Sequence, residues 1–350
     1  MAAALERQGS TAAINGFPPM VRVGFELDAT EPVRLPLYPG SAWRGLLGHS
    51  LRRTVCVTRQ RTCEGCLLTG TCPYSVFFES PPSGPEQASR YTALPHPFVL
   101  DVAAHPERDV AAGDALRLGM TLIGPAIDLL PYLIQAMDRA GEHGLGHRAG
   151  RFALRRVLAE DGLGSGQWHC AYETQSRGYR RLVGMPPLLL EPAPAGAVEV
   201  DFQTPLRIKR HGQFVGAADL AAADLLRNLL SRLASLADFY GGTVDRIEWA
   251  RLGAQTRDLS VTASRLAWSD WTRFSSRQQT TMQMGGLVGQ LTLDGPTLPE
   301  MWPALWLGQW THVGKGTSFG LGKYRLKAAD PADSARAGAP SGTSPQACRI

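Results

Sequence analysis

Trp310-Thr311-His312-Val313-Gly314-Lys315-Gly316-Thr317-Ser318-Phe319-Gly320-Leu321-Gly322-Lys323-Tyr324-Arg325 is the stretch around which the chain is organised. Four glycines lie among aromatic and basic residues, after an apolar segment and before a strand-like one. Glycine has no Cβ and tolerates positive φ, so such a loop lets another backbone come close. With Lys315, Lys323 and Arg325 alongside, the expected visitor is a phosphate chain. One glycine-rich loop does not decide a function, and the rest of the chain must.

Outward from this loop, 350 residues suffice for two domains, each with its own core. The hydrophobic share of 44% and charged share of 19% are those of a globular protein. A formal charge of +5 leans toward a polyanionic partner, although solvated lysines and arginines produce the same number. No run of about 18 apolar residues is present, and the N-terminus lacks a basic segment followed by an apolar one. The expectation is a cytoplasmic protein with no membrane partner.

Four of the six cysteines, Cys56, Cys63, Cys66 and Cys72, follow a C-x6-C-x2-C-x5-C pattern. In a reducing compartment such a group holds a metal more often than it forms disulfides. Structural zinc is the expected occupant, with an iron–sulfur cluster or no metal as the alternatives. A closed shell of four thiolates leaves no position for catalysis.

Residues 1–17 and 328–350 read as disordered ends. Residues 20–27 alternate as a half-buried strand, and Ser41 is the expected N-cap of a helix running to about Val55. On that helix Trp43, Leu46, Leu47, Leu51 and Val55 share a core side, opposite His49, Arg52 and Arg53. Gly45 and Gly48 border the polar side, which implies that something packs closely there, a neighbouring strand being the plainer account. Strands are expected at 74–79, 96–102, 114–123 and 152–158, with a helix at 127–140. The order is that of a ferredoxin-like unit over residues 18–163, with Gly162 to Gly166 as linker.

The second half, 164–327, repeats this logic. A strand at 198–209 leads to a helix at 217–240. Strands at 246–252, 259–268 and 279–293 come next, then a short helix at 301–310, the glycine-rich loop 312–322 and a strand at 323–327. The expected class is therefore α+β: two tandem ferredoxin-like domains with an inserted four-cysteine loop at 56–72.

Four segments together resemble one family: Phe202-Gln203-Thr204-Pro205-Leu206-Arg207-Ile208-Lys209, Trp268-Ser269-Asp270-Trp271-Thr272-Arg273-Phe274-Ser275-Ser276-Arg277-Gln278, Met284-Gly285-Gly286-Leu287-Val288-Gly289, and the glycine-rich loop. In this order they are similar to the C-terminal half of the pre-crRNA processing endoribonucleases of the Cas6 family, in the RAMP superfamily. The first half fits through Tyr38-Pro39-Gly40-Ser41-Ala42-Trp43-Arg44-Gly45 and through Cys72-Pro73-Tyr74 before Phe77-Phe78-Glu79. Coverage is roughly residues 20 to 327.

The resemblance implies two ferredoxin-like domains gripping a CRISPR repeat RNA and cutting it once, with no cofactor for catalysis. In this family the 2′-hydroxyl attacks the phosphodiester, leaving a cyclic phosphate and a 5′-hydroxyl. Such chemistry needs a base, an acid and cations at phosphorus. His49 matches the family's general histidine, and Tyr38 the place of a catalytic tyrosine in some members. Arg52 or Arg53 would supply charge in a fork that fits phosphate oxygens. His312 and His147 are the reserve histidines.

For RNA binding, Arg273 and Arg277 flank Phe274 amid Trp268 and Trp271; the alternative places the tryptophans in the core, favoured for Trp268. Arg207, Lys209, Arg210, His312 and Lys315 are further candidates. CRISPR effector subunits are possible protein partners. The competing functions are a non-cleaving RAMP-fold subunit that holds crRNA, and a zinc-containing nucleic-acid-binding protein of unrelated role.

Overall fold

The alternating segment after residue 19 forms β1 (Met20–Ala29), the central strand of the first sheet. The computed structural model describes residues 12–14, 16–82, 94–102, 108–145, 149–275 and 280–329. Helix α1 (Gly40–Val55) follows, then β2 (Phe98–Asp101), β3 (Ala115–Ile123), α2 (Leu130–His143) and β4 (Phe152–Glu160). β1 pairs antiparallel with both β3 and β4. Strands β5 (Trp168–Glu173) and β6 (Gly178–Tyr179) extend the same sheet, in the order β2-β3-β1-β4-β5-β6.

The second half contains β7 (Val198–Leu206), α3 (Ala222–Phe239), α4 (Arg246–Gln255) and β8 (Ser260–Ser269). A ribbon, β9 (Thr272–Ser275) with β10 (Thr280–Gln283), precedes β11 (Gly286–Asp294), α5 (Leu298–Thr311) and β12 (Tyr324–Ala328). Its sheet runs β8-β11-β7-β12. Setting aside β5 and β6 in the first half, and α4 and the β9–β10 ribbon in the second, each half is a β-α-β-β-α-β unit with its first strand inside the sheet, which is the ferredoxin-like arrangement. Each half has its own apolar cluster: Phe25, Trp43, Leu51 and Phe98 in one, Leu226, Leu229, Trp306 and Tyr324 in the other. The expected α+β pair of ferredoxin-like units is present.

Several local expectations differ from the structure. Gly162 to Gly166 is the turn of the β4–β5 hairpin, closed where the Glu160 carboxylate accepts from the amides of Gly164 (3.0 Å) and Gly166 (2.9 Å). The first sheet therefore continues past the boundary expected at 163. Residues 75–79 form a π-helical turn instead of a strand, because Phe77 and Phe78 both bury into the first core. A short apolar run carries no period that separates the two forms. Residues 246–252 are helical because Asp245 caps the amides of Ile247 and Glu248, and Glu248 pairs with Arg251 one turn on.

Helix α1 starts one residue before the expected Ser41 cap, after Pro39 and without a side-chain cap bond. At the ends, Ala12–Ala13 pair with Leu188–Leu189 and Phe17 is buried, so the ordered part begins within the expected disordered segment. At the other end β12 extends to Ala328, and residues 330–350 lie outside the described ones.

The glycine-rich loop joins the halves. Gly322 donates to the Pro205 carbonyl (3.0 Å) and Lys315 N–H to the Arg207 carbonyl (2.8 Å), closing the loop on β7 and the residue after it. On its far side Tyr38 donates to the Phe319 carbonyl (2.8 Å) and Arg44 Nε to Ser318 Oγ (3.2 Å). Beside it Asp101 takes Lys323 Nζ at 2.5 Å and Arg22 at 3.2 Å. Two histidines lie at this junction, the half-buried His96 facing Arg44 (3.1 Å) and Ser80 (2.9 Å), and the buried His312 near Asp101, Lys323 and Arg232. Burial, reinforced by Arg44 and Arg232, brings His96 down to about 3. Burial also brings His312 to about 3, with Asp101 pulling upward and Lys323 and Arg232 downward.

Two predictions concern this joint. A Cβ on Gly40 would collide with the Phe319 carbonyl, whereas Gly45 has open space around its Cβ position. Gly40→Ala is expected to destabilise the protein by about 1–3 kcal/mol, as overpacking does. Gly45→Ala is expected to stabilise it by up to about 1 kcal/mol through helix propensity; chemical denaturation compares them. The histidines give the second. Each is neutral in the fold down to pH about 3, while the unfolded chain takes up the proton below about 6.5. Their stabilising effect is complete above pH 6.5 and declines as pH falls toward 3. Between pH 7 and pH 5 urea unfolding should lose about 2 kcal/mol per histidine, and His312→Gln should remove one share of that loss; an unaltered pH slope in the variant would count against it.

Candidate functional site

Helix α1 buries Trp43, Leu47 and Leu51, which turns His49 and Arg53 outward. They are four residues apart, one turn from each other on the exposed side. Arg53 Nη1 lies 2.5 Å from His143 Nε2 on α2, and His143 Nδ1 lies 2.9 Å from the Arg139 carbonyl. His143 thus donates from Nδ1 and accepts the guanidinium at Nε2. Arg52 does not join this face. Its Nη2 donates to the carbonyls of Gln60 (2.5 Å) and Arg61 (2.8 Å), and its guanidinium stands 5.5 Å from the Tyr74 ring centre. Arg52 therefore braces the cysteine loop. Of the two helix glycines, Gly48 has a close neighbour, the Phe78 ring 3.1 Å from where a Cβ would stand; Gly45 has none.

Tyr38 was expected beside the reaction and is instead part of the core. It is 4% exposed, its ring lies 4.8 Å from that of Trp271, and burial pushes its hydroxyl well above the usual tyrosine range. A phenol already donated to the Phe319 carbonyl is closed to RNA. His312 is likewise 2% exposed, with Nδ1 lacking a hydrogen-bond partner. Its backbone turns to φ 57° as it ends α5. As an RNA contact it is excluded by burial. His147 and Arg277 lie outside the described residues, and of Arg273 the structure describes the backbone pairing with Met282.

The basic candidates of the second half divide in the same way. Lys315 is the exposed cation of the glycine-rich loop, while Lys323 is spent on Asp101 and Arg325 stands 4.9 Å from the Trp310 ring centre. Arg210 holds Asp224 at 2.9 Å and so braces the start of α3. Arg207 and Lys209 gather at one aromatic side chain: their charged groups lie 4.5 Å and 4.9 Å from the Phe214 ring centre. Arg207 is largely buried, with Nη1 3.3 Å from the Met284 sulfur, and burial lowers its guanidinium pKa. Phe214 is 38% exposed, and Trp268, 41% exposed, sits 6.3 Å from it between ring centroids. The favoured core position for Trp268 is thus incorrect: Asp270 holds its Nε1 at 2.8 Å and leaves the ring in solvent.

Sequence reasoning missed Phe214. Its signal was His211-Gly212, two consecutive positive-φ residues that turn Lys209–Arg210 back onto Gln213–Phe214. The result is a surface of two aromatic rings bordered by cations, able to stack an unpaired base and neutralise its phosphate.

The four cysteines line one pocket beyond the end of α1, with Arg52, Leu68 and Tyr74. All four are free thiols, and among the described residues no three His, Cys, Asp or Glu side chains are grouped as a single metal ion requires. No described helix is long and apolar enough to cross a membrane.

Comparison with known proteins agrees with this architecture. Residues 17–181 match an N-terminal domain model, and residues 200–324 match the model of the CRISPR-associated endoribonuclease Cas6. No curated protein matches the sequence. Among solved structures, a Thermus thermophilus Cas6 in its product complex is 20% identical, covering 88% of this chain and 100% of that one, with a TM-score of 0.52. A partial Cas6-RT-Cas1–Cas2 complex is 16% identical, covering 90% of this chain and 47% of that one, with a TM-score of 0.51. The Cas6 model is thus matched along the second half, and the fold of solved Cas6 structures is shared across both halves.

Proposed function

We propose that this chain cuts CRISPR repeat RNA in precursor transcripts to release crRNA, by a transphosphorylation that uses no metal. The observation that carries the reading is His49, an exposed histidine on the polar side of α1, in a chain whose residues 200–324 match the Cas6 endoribonuclease model. In the step proposed, the 2′-oxygen bonds to phosphorus as its proton leaves to a base, and the bond from phosphorus to the 5′-oxygen breaks as that oxygen takes a proton. The products are a 2′,3′-cyclic phosphate and a 5′-hydroxyl. An imidazole is the side chain suited to either proton transfer near neutral pH. Arg53, one turn on, would carry the added negative charge by turning from His143 to a phosphate oxygen.

The RNA would be held outside the reacting phosphate by Lys315, Lys209 and the Phe214–Trp268 surface. The Cas6-RT-Cas1–Cas2 complex supports association with other CRISPR proteins as a secondary expectation.

Purified protein incubated with repeat RNA in EDTA should make one cut, and a 2′-deoxy substitution at that nucleotide should abolish it. His49→Ala should slow cleavage about a hundredfold or more, the usual scale for an acid–base group, and leave RNA affinity nearly unchanged. Binding without cutting across several matched repeats would instead establish a non-cleaving crRNA-holding subunit. Phe214→Ala should weaken RNA binding by roughly five- to tenfold, within the range for one stacked base, and keep the single-turnover rate at saturating enzyme. Fluorescence anisotropy and quenched cleavage separate the two effects, and unchanged affinity would remove the stacking role.

A further inference from the structure

The cysteine loop is the motif that RNA cleavage leaves unused. Its backbone wraps around the four thiols: Cys66 N–H donates to the Cys63 carbonyl (3.2 Å), Thr69 N–H to Cys66 (3.0 Å) and Cys72 N–H to Leu68 (2.8 Å). One hydroxyl, Thr58 Oγ1, lies 3.9 Å from Cys56 Sγ and 3.7 Å from Cys66 Sγ, so sulfurs far apart in the loop face a shared space. Apolar burial does not hold this wrapping together, since Val57 is 75% and Leu67 96% exposed. A segment without its own core is ordinarily closed by disulfides or a metal, and here the thiols are unpaired.

We propose that Cys56, Cys63, Cys66 and Cys72 hold a thiophilic metal centre of purely structural role. Four soft thiolates select zinc or an iron–sulfur cluster over hard cations. The two make different demands on the loop. Zinc needs all four sulfurs about 2.3 Å from one point, which requires the loop to draw inward from the arrangement described above. In a cubane cluster each thiolate binds its own iron, so the sulfurs stand farther apart around a wider space. Cys72 is followed by Pro73, as is the last cysteine in the bacterial ferredoxin run. In either case the anchor is Cys56, which ends α1 and donates its N–H to the Arg52 carbonyl at 2.9 Å. The centre would fix the end of the helix that carries His49, and its presence does not depend on RNA cleavage.

The test is metal analysis of full-length protein purified anaerobically without chelator. The expected result is about one zinc per chain, or about four irons with matching sulfide and a brown colour. Cys63→Ser combined with Cys66→Ser should lower that content at least tenfold. Metal removal from the unmutated protein should speed tryptic cutting at the exposed Arg59 and Arg61, a readout independent of activity. Fresh unmutated protein with neither zinc nor iron would overturn the proposal, whether its thiols are free or paired.

Discussion

A carboxylate withdrawn from water sets the relation between the two halves. Asp101 ends β2 in the first sheet and meets Lys323, just before β12, and Arg22 on β1. Burial alone would raise its pKa, yet Lys323, aided by His312 and Arg22, brings it down to about 2. Arg22 also takes Glu160 at 2.9 Å, so two cations face two carboxylates. Such a group is costly to bury and costlier to break, because removing one member strands the others' charge, at about 3–5 kcal/mol. Its value is positional: Arg22 binds β1 to the ends of β2 and β4, and Lys323 fastens the second half onto β2.

From Lys323 the constraint passes into the glycine-rich loop. Phe319 and Ser318 rest on α1 through Tyr38, Gly40 and Arg44, and the Arg44 guanidinium lies 4.6 Å from the Phe319 ring centre. The loop's glycines serve this contact. Gly314 approaches the Arg207 carbonyl and Gly322 the Val313 carbonyl too closely for any Cβ. A loop that reads as a phosphate cradle is thus chiefly an internal clasp, with Lys315 as its outward cation. It fixes the N-terminal end of the helix whose polar side bears His49.

The double ferredoxin-like order was legible because long periodic segments, such as β1 and α3, carry their own signal. Residues 75–79 and 246–252 were misread because a short apolar run has no distinguishing period, and because a cap at Asp245 outweighs β propensity. The helix wheel separated Trp43 and Leu51 from His49 correctly. It could not show that Arg52 bends to the carbonyls of residues 60 and 61, since long side chains choose partners that only tertiary structure supplies. Tyr38 was named from the resemblance and His312 from its place beside the glycine-rich loop, and each is enclosed by groups of the opposite half.

That difference in burial narrows the proton chemistry. A group that exchanges protons with RNA near neutral pH must reach the RNA and must titrate near that pH. His312 fails on both counts, being buried at the junction and held to about 3, and the half-buried His96 fails on the second, being held to about 3 as well. Tyr38 fails in the other direction, its hydroxyl buried and raised. The device that locks the halves has therefore consumed the polar groups nearest the glycine loop, leaving their hydrogen bonds to carry structure. His49 is spared because α1 spends Trp43, Leu47 and Leu51 on the core and keeps the opposite side in solvent. The same docking that silences His312 holds rigid the helix on which His49 stands, so precision at the exposed histidine is obtained from groups that can no longer react.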